Sequence, residues 1–444
     1  MTDAPLTRPE RLDRLPFTRR HGRLLGGSGI GWALDALDVG LISFVIAALR
    51  VQWPESVDQL GFVASAGFAG MAIGAAVGGL LADRLGRKNV FAITLLLFGL
   101  ATGASALATS VLALILLRFV VGLGLGAELP VASTLMSEFA PKRIRGRVIV
   151  ILEAFWAIGW IGSALVGYLV IPAGGENGWR WALAIGALPA VWAAVVRFGL
   201  PESVRFLESK GRHDEAERIV RDFERSAGVE TPATTAPTPP PSARGTVPDL
   251  FRQGRTRRTV AIWTVWFTVN FSYYGAFIWL PSILVAEGYS LVQSFGYTLL
   301  ITLAQLPGYA VAAWLIEVWG RRATLATFLA GSVVAAVLFG YGAVSGSETQ
   351  IILSGMLMSF FNLGAWGALY AVTPELYPTS LRGTGSGWAA GVGRIASIIA
   401  PLVAGALMAS VGPTPLFLLF GGVFAIAALA ALALPELKGR ALAE

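Results

Sequence analysis

Twelve stretches of apolar residues, each long enough to cross a bilayer, constrain this chain more than any single motif. They lie near 24–49, 60–81, 90–109, 111–133, 148–171 and 181–200 in the first half, and near 259–284, 293–316, 323–344, 350–372, 385–409 and 415–434 in the second. A helix needs about 20 apolar residues to span roughly 30 Å of hydrocarbon, where every backbone N–H and C=O has to be satisfied within its own segment. The expected fold is therefore all-α, with twelve transmembrane helices. Composition agrees: 55% of the 444 residues are hydrophobic and only 14% are charged, more apolar surface than a soluble core of that length buries.

One interval breaks the pattern. Within residues 201–258, Ser203–Ser226 is charged and helix-like, whereas the following TPATTAPTPPPS has no means of burying itself and reads as a linker. The chain thus divides into a polar N-terminal segment (1–23), a six-helix bundle (24–200), a helical and Pro-rich linker (201–258), a second six-helix bundle (259–434) and a tail (435–444). Lys and Arg concentrate in ADRLGRK, PKRIRGR, the long interval, GRRAT, TSLRG and ELKGR, while the opposite loops hold only Arg50 and Arg180. The positive-inside bias then places both termini in the cytoplasm and accounts for the net charge of +7 without a nucleic-acid partner. The basic first 23 residues contain no apolar run ending in a small-residue cleavage site, so no removable signal peptide is expected. There is no cysteine, and the two histidines, His21 and His213, lie in polar segments. Neither a metal nor a cofactor is expected, no catalytic set that would make the chain an enzyme can be assembled, and a functional monomer is expected.

The two halves repeat each other. Asp83-Arg84-Leu85-Gly86-Arg87-Lys88 after the second helix recurs as Glu317-Val318-Trp319-Gly320-Arg321-Arg322 after the eighth, at an offset of 234. SEFAPKRIRG (137–146) recurs as PELYPTSLRG (374–383) at 237, and Leu200-Pro201-Glu202 recurs as Leu434-Pro435-Glu436 at 234. With six crossings each, the halves run in the same direction, as do bundles related by an axis along the membrane normal with a substrate site between them.

GGLLADRLGRK, RFVVGLGLGAELP, PELYPTSLRGTG, LPESVRFLESKGRHDEA and the closing PELKGR together resemble the major facilitator superfamily across essentially the whole chain. The last three are most similar to the sugar-porter branch. The resemblance implies a secondary transporter working by alternating access. The loop motif also has a physical sense of its own, because small residues such as Gly79 and Gly86 let helices approach. Asp83, Arg84, Arg87, Glu138 and Arg145, with Glu317, Arg321, Glu375 and Arg382 in the second half, can form a latch at the cytoplasmic rim that opens as the halves rock. Plain topological charge is the alternative.

The run GWALDALDVGLISF (31–44) carries two acids, Asp35 and Asp38, that are expensive in hydrocarbon unless they serve a function. Asp35 lies roughly 18 Å along the helix from Arg23, near the midplane. Asp38 lies one turn further out on a neighbouring face. Two carboxylates so close in a low-dielectric cavity do not both stay charged. One of them is a candidate proton carrier, and no intramembrane histidine competes for the role. Arg118, in the fourth helix, reaches a depth comparable to Asp38. LDVGLIS and RFVVGLG resemble the sugar-porter positions where an aspartate and an arginine form a coupling pair, which implies that protonating Asp38 releases Arg118. A permanent salt bridge between helices is the alternative. Glu128 and Glu153 complete the candidate proton-coupling set.

Aromatic residues carry the substrate reading. Glu153, Trp156 and Trp160 share a stripe of the fifth helix, and Asn362, Trp366 and Tyr370 recur every fourth residue in the tenth. Asn270, Tyr273 and Tyr274 cluster in the seventh, before Pro281. Membrane aromatics usually form interfacial belts, but these stripes mix rings with polar groups near mid-helix, as a narrow pocket for a flat ring would. Where sugar porters carry a glutamine pair, this chain has FTVNFSYYGAF, which argues against a sugar. The Tyr-Tyr pair, the Glu-x-x-Trp element and Trp366 resemble the bacterial niacin transporters and the synaptic vesicle glycoprotein two group, and DALD resembles the DGxD of aromatic-acid:proton symporters. The resemblance implies that Trp156 and Trp366 sandwich the ring, with Tyr273, Tyr274, Asn362 and Tyr370 around it. Arg394, too deep in the eleventh helix for easy snorkelling, is the expected partner of a substrate carboxylate. A structural pair with Glu375 or Glu128, or a snorkel to the cytoplasm, is the alternative.

The expectation is a proton-coupled symporter of a small aromatic monocarboxylate such as nicotinate, in a bacterial cytoplasmic membrane. A sugar or polyol porter, an exporter of drugs or organic ions, and a binding or sensor protein that has lost transport are the competing readings.

Overall fold

A computed structural model describes residues 6–53, 59–230, 236, 246–344 and 347–436. Apart from Ala236, the linker TPATTAPTPPPS lies outside the described residues, as does the closing LKGR. Twelve helical spans are long and apolar enough to cross a membrane. The first six are Arg19–Gln52, Leu60–Leu85, Arg87–Ser105, Val111–Phe139, Arg145–Ala173 and Gly175–Gly199. The seventh to twelfth are Thr256–Ala286, Leu291–Val318, Arg321–Val344, Glu348–Glu375, Thr379–Val411 and Pro413–Leu432. They are the twelve expected segments, most of them longer by up to two turns; the third ends four residues earlier than expected, at Ser105.

Two spans expected to be continuous are not. The sixth is broken after Ile185 and resumes at Leu188, and the eighth is broken after Leu303 and resumes at Gln305. In each the helix stops four residues before a proline, Pro189 or Pro307, which is the carbonyl that a proline ring displaces and leaves without a donor. Hydropathy carries no trace of this.

Each half packs first on itself and then on the other. Gly70 and Gly74 of the second span meet the fourth so closely that a Cβ on either would lie 2.2 Å from a carbonyl oxygen of Phe119 or Leu123. Across the halves, the first span packs on the seventh, the second on the eleventh and the fifth on the eighth. At the end away from the basic loops the contact is tight. Residues 38–49 of the first span and 268–284 of the seventh are buried without interruption. Rings interlock there: Phe44 with Phe295 at 5.1 Å, Phe68 with Tyr274 at 4.5 Å and Trp160 with Tyr273 at 6.0 Å between centroids.

At the basic rim the halves part. A Cβ at Gly79, Gly146, Gly383, Gly387 or Gly391 would meet nothing within 4 Å. The ion pairs here stay within one half. Arg87 bonds Glu138 at 3.3 Å and Asp83 at 3.8 Å, and its repeat partner Arg321 bonds Glu375 at 3.0 Å and Glu317 at 3.7 Å. Arg145 folds back on Ala140 O and pairs with Asp13, while Arg382 donates to Pro374 O at 3.1 Å. Arg84 is exposed.

The repeated Leu-Pro-Glu has a role that sequence reading missed. Glu202 accepts from the backbone N–H of Lys88 at 3.1 Å and of Ser203 at 2.8 Å, and Glu436 accepts from those of Arg321 at 2.9 Å and Arg322 at 3.2 Å. A carboxylate is thereby placed at the N-terminus of the third and of the ninth span, where orphan donors and the helix dipole favour negative charge. Gly86 and Gly320 make room for it at φ +96° and +102°. A Cβ on Gly86 would stand 2.3 Å from Glu202 Oε2.

A short helix, Arg8–Asp13, joins this rim to the linker helix His213–Ala227. Arg11 is fully buried and forks onto Glu224, also fully buried, at 2.7 and 2.9 Å, and onto Glu217 at 3.0 Å. Arg8 adds Glu208 and Glu217 at 3.0 Å each. Burial works to raise the Glu217 carboxyl, but hydrogen bonds from Arg221, Arg11 and Arg8 prevail and hold it below its ordinary value of 4.5.

Two predictions follow from this rim. Gly86→Ala is expected to lower the melting temperature, at a cost of about 1–3 kcal/mol for a non-glycine residue in that backbone region, whereas Gly79→Ala leaves it unchanged or slightly raised; differential scanning fluorimetry reads both. For the N-terminal helix, a depressed carboxyl contributes stability above pH 4.5 and loses it as pH falls through the lowered value. Protection of the amides in residues 8–13, taken relative to intrinsic exchange at each pH, is therefore expected to be high at neutral pH and to fall below that point. Arg11→Ala, which leaves Glu224 buried without its partner at about 3–5 kcal/mol, is expected to make exchange fast at every pH.

Candidate functional site

At mid-depth between the halves lies a cavity of about 30 Å³. Its N-terminal wall is Trp32 of the first span with Glu153 and Trp156 of the fifth. Facing these are Trp266, Asn270 and Tyr274 of the seventh, Trp366 and Tyr370 of the tenth, and Ala390 and Arg394 of the eleventh. That volume holds one or two water-sized molecules and no aromatic ring, so admitting a ring requires the indoles or the halves to move apart.

The aromatic wall is a connected stack. Trp366 stands 5.2 Å from Tyr273, 6.0 Å from Tyr274 and 6.2 Å from both Trp266 and Tyr370, measured between ring centroids. Trp266 Nε1–H donates to Thr373 Oγ1 at 2.9 Å, which fixes that indole. Asn270 is held too: its amide donates to Trp266 O at 2.8 Å and accepts from Ser397 Oγ at 3.0 Å. Four residues expected around the ring, Trp156, Trp366, Tyr274 and Tyr370, thus share one cavity. Tyr273 does not line it; it packs against Trp160 and Phe277 in the seal that closes the far end. Asn362 also stands behind the wall, fully buried, with both amide atoms lacking a hydrogen-bond partner.

The charged groups divide into satisfied and unsatisfied. Asp38 is bound by Arg118 through both carboxylate oxygens and accepts from Thr102 Oγ1 at 2.6 Å. Asp35 and Glu128, at 1% and 0% exposure, have no hydrogen-bond partner for any of their four carboxyl oxygens. Arg394 forms no ion pair among the described residues; its guanidinium approaches Met71 Sδ at 3.8 Å and interacts with the Tyr274 hydroxyl. Glu375, one partner considered for it, is taken by Arg321.

Trp32 and Trp266 were not anticipated. A single tryptophan in an apolar run reads as packing, yet these two occupy equivalent places in the internal repeat, 234 residues apart. The repeat was the available sign. Thr102, which closes the coordination of Asp38, carries no sign at all.

Comparison with known proteins now has a geometry to meet. The sugar (and other) transporter family matches residues 30–444. The chain is 47% identical to the niacin transporter NiaP of Acinetobacter baylyi, over 97% of this chain and 98% of that one. It is 30% identical to the synaptic vesicle 2-related protein of Rattus norvegicus, over 100% and 83% respectively. Among solved structures, the xylose transporter XylE from E. coli in its partially occluded inward-open conformation superposes with a TM-score of 0.77 at 18% identity, covering 95% of this chain and 100% of that one. At that identity the likeness speaks for the fold alone. An integral membrane protein of twelve spans and two like halves, with no enzyme among these relatives, the chain belongs to the sugar (and other) transporter family of the major facilitator superfamily.

Proposed function

We propose that the chain carries a small aromatic monocarboxylate such as nicotinate into the cell together with protons, by alternating access in the bacterial inner membrane, as a monomer with both termini cytoplasmic. The observation that carries this reading is Arg394. A guanidinium without an acid partner, beside a cavity walled by four indoles and two phenols, suits an anion attached to a flat ring. The ring would lie between Trp156 and Trp366, each stacked contact contributing about 0.5–1.5 kcal/mol beyond its area. The carboxylate would sit on Arg394, with the edge of the ring read by Asn270, Tyr274 or Tyr370. The name borne by the 47% identical relative supports the same substrate.

Alternating access would use the aromatic seal and the rim ion pairs already described. In this conformation the aromatic seal is shut and the latches built on Arg87 and Arg321 are folded within their own halves. Rocking the halves together at the basic rim would bring Gly79, Gly146 and Gly383 into contact and part the rings at the other end. A polyol reading has less support, because the cavity offers one side-chain amide where a sugar needs several fixed donors and acceptors. A drug exporter would have little use for a guanidinium at the cavity wall.

The test is uptake of radiolabelled nicotinate into proteoliposomes with and without an inward proton gradient. Accumulation is expected only with the gradient, and excess hexose is expected not to compete. Trp366→Ala is expected to raise the half-saturation concentration about tenfold or more, which corresponds to roughly 1.4 kcal/mol. Arg394→Gln is expected to abolish nicotinate uptake. Uptake without a gradient requirement, or competition by a hexose, would sink the assignment.

A further inference from the structure

We propose that Asp35 and Glu128 form a single proton-binding site, two carboxyl groups sharing a proton, and that this pair rather than Asp38 carries the coupled proton. The inference rests on the symport reading above, and its tests are separable from it.

The geometry is specific. Asp35 on the first span and Glu128 on the fourth are both sealed from solvent, interact with one another, and receive no hydrogen bond from any other group. Glu128 reaches this place because residue 31, one turn before Asp35, is glycine; a Cβ there would stand 2.9 Å from Glu128 Oε1. Two bare carboxylates facing each other in hydrocarbon repel, and nothing nearby donates to them. One proton turns the repulsion into a charge-assisted O–H···O⁻ hydrogen bond.

The surroundings decide which acid moves its proton. On the first and fourth spans, Asp38 and Arg118 neutralise each other, with Thr102 of the third completing the carboxylate. To take up a proton Asp38 would have to give up a buried ion pair, whereas the Asp35–Glu128 pair gains a bond that it otherwise lacks. The remaining ionisable groups around the cavity are Glu153 of the fifth span, Tyr274 of the seventh, Tyr370 of the tenth and Arg394 of the eleventh. Arg394 acts electrostatically on Asp35. Trp32 Nε1–H, buried and without a partner, lies a turn from Asp35 at the cavity wall.

Charge accounting then gives the coupling. With one shared proton the pair carries −1, balanced by Arg394. A substrate carboxylate that binds Arg394 withdraws that counter-charge, and a second proton entering from the same side as the substrate restores neutrality. After the halves rock, the substrate leaves Arg394 and the pair returns one proton to the other side. One proton travels per monocarboxylate, no net charge crosses, and transport depends on the pH gradient and not on the membrane potential.

Two measurements on the purified full chain test this. In weakly buffered detergent solution with a pH-indicating dye, the native protein is expected to take up about one proton per nicotinate bound, with affinity falling about tenfold per pH unit once the second proton is lost. The double variant Asp35→Asn/Glu128→Gln, near-isosteric and with no carboxyl left at the site, is expected to bind nicotinate without taking up a proton, whereas either single variant mimics the pair with one proton already on it and is expected still to take up the second. Independently of any substrate, pH-difference infrared spectroscopy is expected to show the carbonyl band of a protonated carboxyl group that the double variant removes and Asp38→Asn leaves. If that band disappears only in Asp38→Asn, or if proton uptake persists in the double variant, the proposal falls and Asp38 carries the proton. If nicotinate does not bind but the band behaves as expected, the substrate assignment falls and the proton site stands. If the double variant fails to elute as a monodisperse species, the single variants carry the test: each is expected to shift the band, and a band unchanged in both overturns the proposal.

Discussion

The cost of leaving a charge in hydrocarbon organises this molecule. Arg118 is tolerated at depth because Asp38 and Thr102 close around it. Arg11 can be fully buried at the rim because Glu224 and Glu217 meet its guanidinium on two sides. Against that background the charged groups of the spans that form no ion pair stand out: Asp35 and Glu128, buried together, and Glu153 and Arg394, which line the cavity between the halves. These are the groups on which the proton and substrate binding proposed above would act.

Symmetry and its breaking separate scaffold from chemistry. The rim ion pairs of Arg87 and Arg321, the caps supplied by Glu202 and Glu436, and the positive-φ glycines at 86 and 320 occur twice, in equivalent places. The cavity does not repeat. The first half lines it with an acid, Glu153, while the second contributes the arginine, the phenols and the side-chain amide. Only Trp32 and Trp266 bridge the two descriptions, a pair of equivalent indoles on the two central spans.

Much of this was legible before any coordinates. The twelve spans follow from length and hydropathy, because the bilayer imposes a requirement on each segment separately. The repeats exposed both clusters of charge at the rim, and the depth of Arg118 matched it to Asp38. What escaped depends on helix rotation and on contacts between distant segments. Residues four apart advance about 40° around a helix beyond a full turn, so the stripe Asn362–Trp366–Tyr370 winds off any one face, and Asn362 ends behind the wall that the other two form. Tyr273 is displaced in a similar way by one residue from Tyr274. The meeting of Asp35 with Glu128 depends on how the first and fourth spans cross. The breaks in the sixth and eighth spans were written in their prolines, but a hydropathy window averages them away.

The capping glutamates bear on mechanics as well as on helix ends. Each follows the last span of its half and grips the backbone at the start of the third span of that half, so the chain's exit is tied to its own middle. Each half is in effect a closed linkage with its free end fastened down, and such a body resists bending. In the rocking proposed above, halves stiffened in this way would turn as levers, without flexing of individual helices.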